Sequence, residues 1–139
     1  MMRVEVFNAH RTRKVSVERV RGYVRKVARS AGIKHAAISV VFVGSKYSRR
    51  MNRLYLNHDF VTDVISFPLE RCRVLEGEVY VNLDRARSQA RQYKVSFANE
   101  VARLVIHGAL HLVGYDDKST RKAGLMKLEE DRQLRSWFN

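Results

Sequence analysis

The sequence predicts one α+β domain: a small, mostly parallel or mixed sheet of four strands packed by about five helices. Three observations carry this. Short apolar runs and helix-length amphipathic stretches follow one another in the order β-α-β-α-β-β-α-α-α, which builds a single sheet covered by helices. The length, 139 residues, is that of one domain. No repeat, low-complexity segment or Pro/Gly-rich linker divides the chain, and Pro68 is its sole proline.

Each element has its own signal. Val4–Phe7 reads as the first strand. Ser16 can cap a helix with Glu18 in its first turn. Val17, Val20, Val24, Val27 and Ala31 recur there at helical spacing, and Gly32 ends it. Ile38–Val43 is apolar and β-branched, hence a buried strand. Ser45 can cap a second helix, where Tyr47, Met51, Leu54 and Tyr55 share one face. Val64–Phe67 and Glu78–Leu83 are short strands. Asp84–Tyr93 is a short helix. Ser96 caps the next, which runs through Val101, Leu104, Val105, Gly108 and Leu112 to Gly114. Ser119 caps a final helix carrying Leu125, Leu128 and Leu134.

Hydrophobic residues make up 45% of the chain, enough for a core and too many for a disordered segment. The net charge is +13 and the pI near 10.5, which calls for a polyanionic partner such as nucleic acid. The charge is lopsided: residues 1–58 hold 14 basic side chains against Glu5 and Glu18. Arg19, Arg21, Arg25, Lys26 and Arg29 on the first helix, and Lys46, Arg49, Arg50 and Arg53 on the second, are the candidates for phosphate contact. Cys72 stands alone between Arg71 and Arg73, so no intramolecular disulfide forms. It reads as an inert thiol in a reducing compartment. The longest uncharged stretches, His35–Ser45 and Leu104–Tyr115, fall short of a membrane span. Nor do the first residues have an apolar core of signal-peptide length. The expectation is a cytoplasmic protein without a membrane partner. Trp137 is expected to pack the last helix.

The segment His107-Gly-Ala-Leu-His111-Leu-Val-Gly-Tyr-Asp116-Asp117 carries the chemistry. His107 and His111 stand about one helical turn apart, on one face. Gly114 ends the helix and turns the chain back, so Asp117 can supply a third ligand. Three protein ligands with an open fourth position make a catalytic zinc site. Such an ion activates water near neutral pH. The donor set suits Zn²⁺, one per chain, with Fe²⁺, Ni²⁺ or Mn²⁺ as alternatives. The competing reading is a hydrogen-bonded histidine pair in a packed interior, with Asp117 capping the helix that starts near Ser119. Gly108 stands where the H-E-x-x-H proteases carry their glutamate base, which argues against peptide hydrolysis.

This segment closely resembles the signature of the YbeY endoribonucleases, bacterial ribosomal-RNA maturation factors. Asn52…Tyr55, Thr62-Asp63-Val64-Ile65-Ser66-Phe67-Pro68, Gly77-Glu78-Val79, and Met126 with Glu129 resemble further parts of that family's pattern, so the likeness spans about residues 50–130. The resemblance implies zincin-like metal geometry in a single domain over residues 1–139. It implies a metal-dependent endoribonuclease that cuts single-stranded RNA with a metal-activated water. The implied roles are 16S rRNA 3′-end maturation and ribosome quality control. The implied partners are the small ribosomal subunit and an assembly GTPase. His107 and His111 match the family's first two ligands. The third is usually histidine, where this chain has Asp117, which adds a negative charge to the site and makes a bound water less acidic. Leu56 stands where the family commonly has an arginine, and Arg49 or Arg53, on the same helical face, could reach that space. No general base is identified; Asp116 and Asp63 are weak candidates, the first better suited to ordering a loop and the second to fixing a turn or a histidine. The alternative function is a non-catalytic, basic RNA-binding assembly factor with a structural or degenerate metal site.

Overall fold

The computed structural model describes residues 1–69 and 74–138; Cys72 lies outside the described residues. Among the described residues, four strands and five helices follow in the expected order: β1 (Met2–Asn8), α1 (Val17–Ser30), β2 (Ala36–Val43), α2 (Ser45–Tyr55), β3 (Val64–Leu69), β4 (Leu75–Asn82), α3 (Leu83–Tyr93), α4 (Phe97–Leu112) and α5 (Thr120–Arg135). The sheet order is β1-β2-β4-β3. β1 runs parallel to β2 and β2 parallel to β4, while β3 pairs antiparallel with β4. The sheet is therefore mixed, with its one antiparallel strand at an edge.

The caps predicted at Ser16, Ser96 and Ser119 are in place, each hydroxyl accepting from a backbone N–H in the first turn. Asn82 does the same for α3, its amide oxygen accepting from Asp84 and Arg85. α2 has no side-chain cap of its own: Gly44 is its N-cap, and Ser45 is its first residue. Its leading N–H, that of Ser45, donates instead to Asp84 Oδ2 at 2.9 Å. Asp84 thus lies at the positive ends of two helix dipoles. Its other oxygen accepts from His10 Nε2 at 2.8 Å, which ties the β1–α1 loop to both.

α4 is the central helix. Its sequence is apolar nearly all round, and it is buried between the sheet and α1, α3 and α5. Two glycines set how closely it lies on the sheet. A Cβ at Gly108 would come within 2.4 Å of Val79 Cγ1. One at Gly77 would meet Leu112 Cδ2 at 2.7 Å. The glycine that removes the protease base is therefore also the seat of the helix.

Three apolar assignments change. On α1 the buried stripe is Val20, Tyr23, Val24, Val27 and Ala28, while Val17 and Ala31 are exposed. On α5, Leu125 and Leu128 face solvent, and Met126, Glu130 and Gln133 are buried. The reason is that α5 packs on a charged part of α4, so its inward face is polar. On α2, Met51 is buried with Ser48 and Asn52, whereas Tyr47, Leu54 and Tyr55 are exposed. Trp137 packs as expected, edge-on to Tyr23 at 5.0 Å between ring centroids.

Two outcomes follow from this frame. Gly108→Ala should lower stability by about 1–3 kcal/mol, read by urea denaturation, because a methyl group is forced into a closed helix–sheet contact. Burial raises the Asp84 carboxyl, but hydrogen bonds from His10 and Ser45, with the His10 and Arg13 charges, outweigh it and hold it below its ordinary range. A depressed folded-state value contributes stability above the unfolded-state value and loses it as pH falls through the folded one. Asp84→Asn should therefore melt below wild type at pH 6–7, and the two melting temperatures should converge below about pH 4.

Candidate metal centre

His107 and His111 leave the same face of α4, and their ring centroids lie 4.9 Å apart. Each has its Nδ1 engaged. His107 Nδ1 donates to Glu130 Oε1 at 2.6 Å. His111 Nδ1 donates to the Tyr115 carbonyl at 3.1 Å. A carbonyl and a carboxylate only accept, so both Nδ1 atoms carry a proton, and Nε2 is the atom each ring has left for a metal. Ligand histidines are commonly oriented by such outer hydrogen bonds.

The second anchor comes from the end of the helix. Gly114 takes φ +113°, its N–H donates to the His111 carbonyl, and the Tyr115 N–H reaches back to Leu110 O at 3.0 Å. This is a Schellman turn, which a glycine at that position permits. It swings the Tyr115 carbonyl over His111. Burial first, then the neighbouring His107, lowers the His111 pKa against the opposing pull of Asp117 and Asp116. The ring is thus kept in the neutral form that a metal binds.

The first anchor belongs to a buried charge network. Glu130 is 2% exposed and also lies near Arg103 and Lys127. Arg103 forks onto Glu100, which is fully buried and accepts from Gln89 Nε2 at 2.8 Å. Hydrogen bonding to Glu100 dominates the Arg103 environment and pushes its pKa well above the ordinary guanidinium value, holding it charged. Burial raises the Glu130 carboxyl, but the hydrogen bond and charge of His107, with Arg103 and Lys127, hold it low and ionised. Sequence pattern does not single out Glu130; Glu129, the neighbour that the family resemblance points to, pairs with Arg132 instead. The available signal was a carboxylate four residues after Met126, on what becomes the buried stripe.

The two rings line a pocket of about 550 Å³ with Leu56, Thr62, Asp63, Ser66, Tyr115, Asp116 and Asp117 among its walls. Asp63, Asp116 and Asp117 are therefore brought to the histidines. Their situations differ. Asp116 accepts from the Lys118 N–H at 3.0 Å and lies 3.7 Å from Lys122, so it orders the turn. The Asp63 carbonyl accepts from the Asn82 N–H, fixing the entry to β3. Asp117 is exposed at the mouth, and its carboxylate takes no hydrogen bond or ion pair from a described residue. It does not cap α5; Ser119 does. Among the described residues, no three His, Cys, Asp or Glu side chains stand together closely enough to hold a metal ion. The donor set nonetheless fits a divalent cation: two oriented imidazoles with unused Nε2 atoms, and a free carboxylate on the same pocket wall.

Leu56 lines the pocket, as its place in the sequence suggested, but Lys46, Arg49, Arg50 and Arg53 do not. All four are exposed on α2. Arg49 is held by Asp59, Nε to Oδ1 at 2.9 Å. On α1, Arg21 pairs with Glu18 at 2.7 Å, and Arg19 lies over the Phe138 ring at 5.1 Å. Those three arginines have structural partners. Among the described residues, no helix is long and apolar enough to cross a membrane.

Glu130→Ala should destabilise the fold by about 3 kcal/mol or more, read by chemical denaturation, because Arg103 loses a buried counter-charge and His107 its acceptor. Glu130→Gln keeps an acceptor and should cost less.

Comparison with known proteins agrees with this architecture. A solution structure of TM1509 from Thermotoga maritima superposes with a TM-score of 0.68 at 24% identity, over 94% of this chain and 86% of that one. The family model described as Endoribonuclease YbeY matches residues 5–137. Proteins named Endoribonuclease YbeY are 39% identical in Chlorobium phaeovibrioides, over 96% of this chain and 90% of the relative. In Flavobacterium psychrophilum the figure is 38%, over 81% of each chain. The chain belongs to the YbeY endoribonuclease family.

Proposed function

We propose that this chain is a metal-dependent endoribonuclease of single-stranded RNA, with His107, His111 and Asp117 as the metal ligands and the 3′ end of 16S rRNA, on the small ribosomal subunit, as its physiological target. A cytoplasmic location and an assembly GTPase as partner go with that target. One observation carries the reading: two imidazoles with their Nδ1 atoms anchored share a pocket with three aspartates, in a protein of net charge +13. A phosphodiester drawn in by the overall charge meets local carboxylates that repel it. A divalent cation between them removes the conflict.

Zn²⁺ is the ion this donor set suits best, and when bound it supplies charge neutralisation at phosphate and acidification of water. The protein's own contributions are separate. Glu130 and the Tyr115 carbonyl fix the two rings. Asp117, whose carboxylate is free on an exposed turn at the pocket mouth, would complete the ligand set. Asp116 holds that turn in place through Lys118 and Lys122. Leu56 offers no cation to the phosphate, so Arg50 and Arg53 on the exposed face of α2 take over backbone positioning.

The test joins composition to activity. Wild type should carry close to one equivalent of transition metal by elemental analysis and cut single-stranded RNA but not casein. His111→Ala should lose both metal and cleavage. Asp117→Ala, which removes a ligand, should weaken metal retention by at least the roughly 10–100-fold that loss of a ligand's outer hydrogen bond costs, while leaving the fold intact. Metal retained without cleavage would instead favour the non-catalytic assembly factor.

A further inference from the structure

Outside the pocket, α2 and the far side of β3 carry an unusual concentration of open aromatic surface. Tyr47, Met51, Tyr55, Phe67, Leu69, Glu78 and Tyr80 line a groove of about 260 Å³. The rings are ordered against one another. Phe67 stands edge-on to Tyr55 at 5.8 Å and to Tyr80 at 5.7 Å between centroids. Yet Tyr55 is 65% exposed and Tyr47 is 47% exposed. On α2 these tyrosines sit at the helical spacing of a buried stripe, and the structure leaves them uncovered.

From Ser66 to Leu69 the groove and the histidine pocket lie on the two sides of one strand, while Ile65, nearer the start of β3, also lines the pocket. Ser66 and Pro68 line the pocket, while Phe67 and Leu69, alternating with them along β3, line the groove. At the end of α2 the division repeats, with Leu56 on the pocket and Tyr55 on the groove. β3 is the sheet's edge, so a flexible strand can pass from one side to the other without crossing the protein. Lys46, Arg50 and Arg53 lie on the same helix as Tyr47 and Tyr55 and make no ion pair with a described residue. Cations that track a backbone beside faces that accept bases are the combination single-stranded nucleic acids require. Glu78 fits this division of labour: a carboxylate in the groove repels phosphate but accepts hydrogen bonds from exocyclic amines of bases.

We infer that the Tyr47–Tyr55–Phe67–Tyr80 groove is a base-stacking subsite, which holds unpaired bases of the RNA next to the phosphodiester that enters the histidine pocket. This rests on the function proposed above and adds to it where the bases go. It also supplies grip on the side of the pocket where Leu56 offers no charge.

Binding of a fluorescein-labelled, phosphorothioate single-stranded RNA of about 12 nucleotides tests it, alongside the same strand with abasic sites. Wild type should bind the base-bearing strand more tightly. Tyr55→Ala and Tyr47→Ala should each weaken that binding about tenfold, narrow the preference over the abasic strand, and leave the dependence on salt unchanged. Arg53→Ala should instead lower the slope of log Kd against log salt by about one. Melting curves equal to wild type would establish that the tyrosine variants are folded. Folded tyrosine variants that bind RNA as wild type does would overturn the subsite and leave the endoribonuclease reading standing. So would equal wild-type affinity for base-bearing and abasic strands. A wild type that binds no single-stranded RNA would remove the endoribonuclease reading first and the subsite with it. If the variants change sedimentation behaviour and not RNA affinity, the surface joins two copies of the chain, and the inference is wrong.

Discussion

Everything at the candidate site depends on how closely α4 lies against the sheet. Gly108 rests on Val79 and Ser66, and Gly77 admits Leu112 from the helix. Ser66 adds a hydrogen bond from its hydroxyl to the Gly108 carbonyl at 3.0 Å. With the helix axis fixed by these contacts, the residue before Gly108 and the one three places after it are aimed together past the edge of the sheet. Those residues are His107 and His111. A larger residue at position 108 would lift the helix and carry both rings with it.

The second constraint is electrostatic. The core beneath the histidines is not purely apolar: Glu100, Arg103 and Glu130 are enclosed with His107. Such a network is a weak source of net stability, because desolvation offsets most of the Coulomb gain. Its value lies in geometry. A buried carboxylate with a fixed guanidinium on one side has one direction left for its remaining oxygen, and His107 occupies it. The other ring needs no such investment, since a helix-terminating turn brings a backbone carbonyl to it.

Most of this architecture was legible in the sequence, for identifiable reasons. Capping residues and β-branched runs act locally, so Ser16, Ser96, Ser119 and the strand at Ile38–Val43 could be read directly. The histidine pair was legible because a four-residue spacing on a helix fixes a shared face. What escaped depends on tertiary partners. The inward face of α5 is polar only because it meets Arg103 and His107, and leucines at 125 and 128 mimic a core stripe. The aromatic face of α2 has helical spacing yet stays largely exposed beside Phe67 and Tyr80, which no periodicity can reveal. The fate of the arginines was hidden for the same reason: Asp59, ten residues on past the end of α2, holds Arg49, and Phe138, at the far end of the chain, holds Arg19.

The placement of Pro68 has a consequence for behaviour in a crowded cell. β3 is a short strand with one side of its backbone unpaired in the sheet, the kind of border on which two sheets join and aggregates grow. Proline has no N–H to offer, so a second chain cannot pair regularly along the whole border. β1, the opposite border, carries Arg3 and Glu5 on its exposed face, and these serve the same purpose by charge. A protein that keeps one border open beside its candidate site thus resists gluing itself to its own copies there.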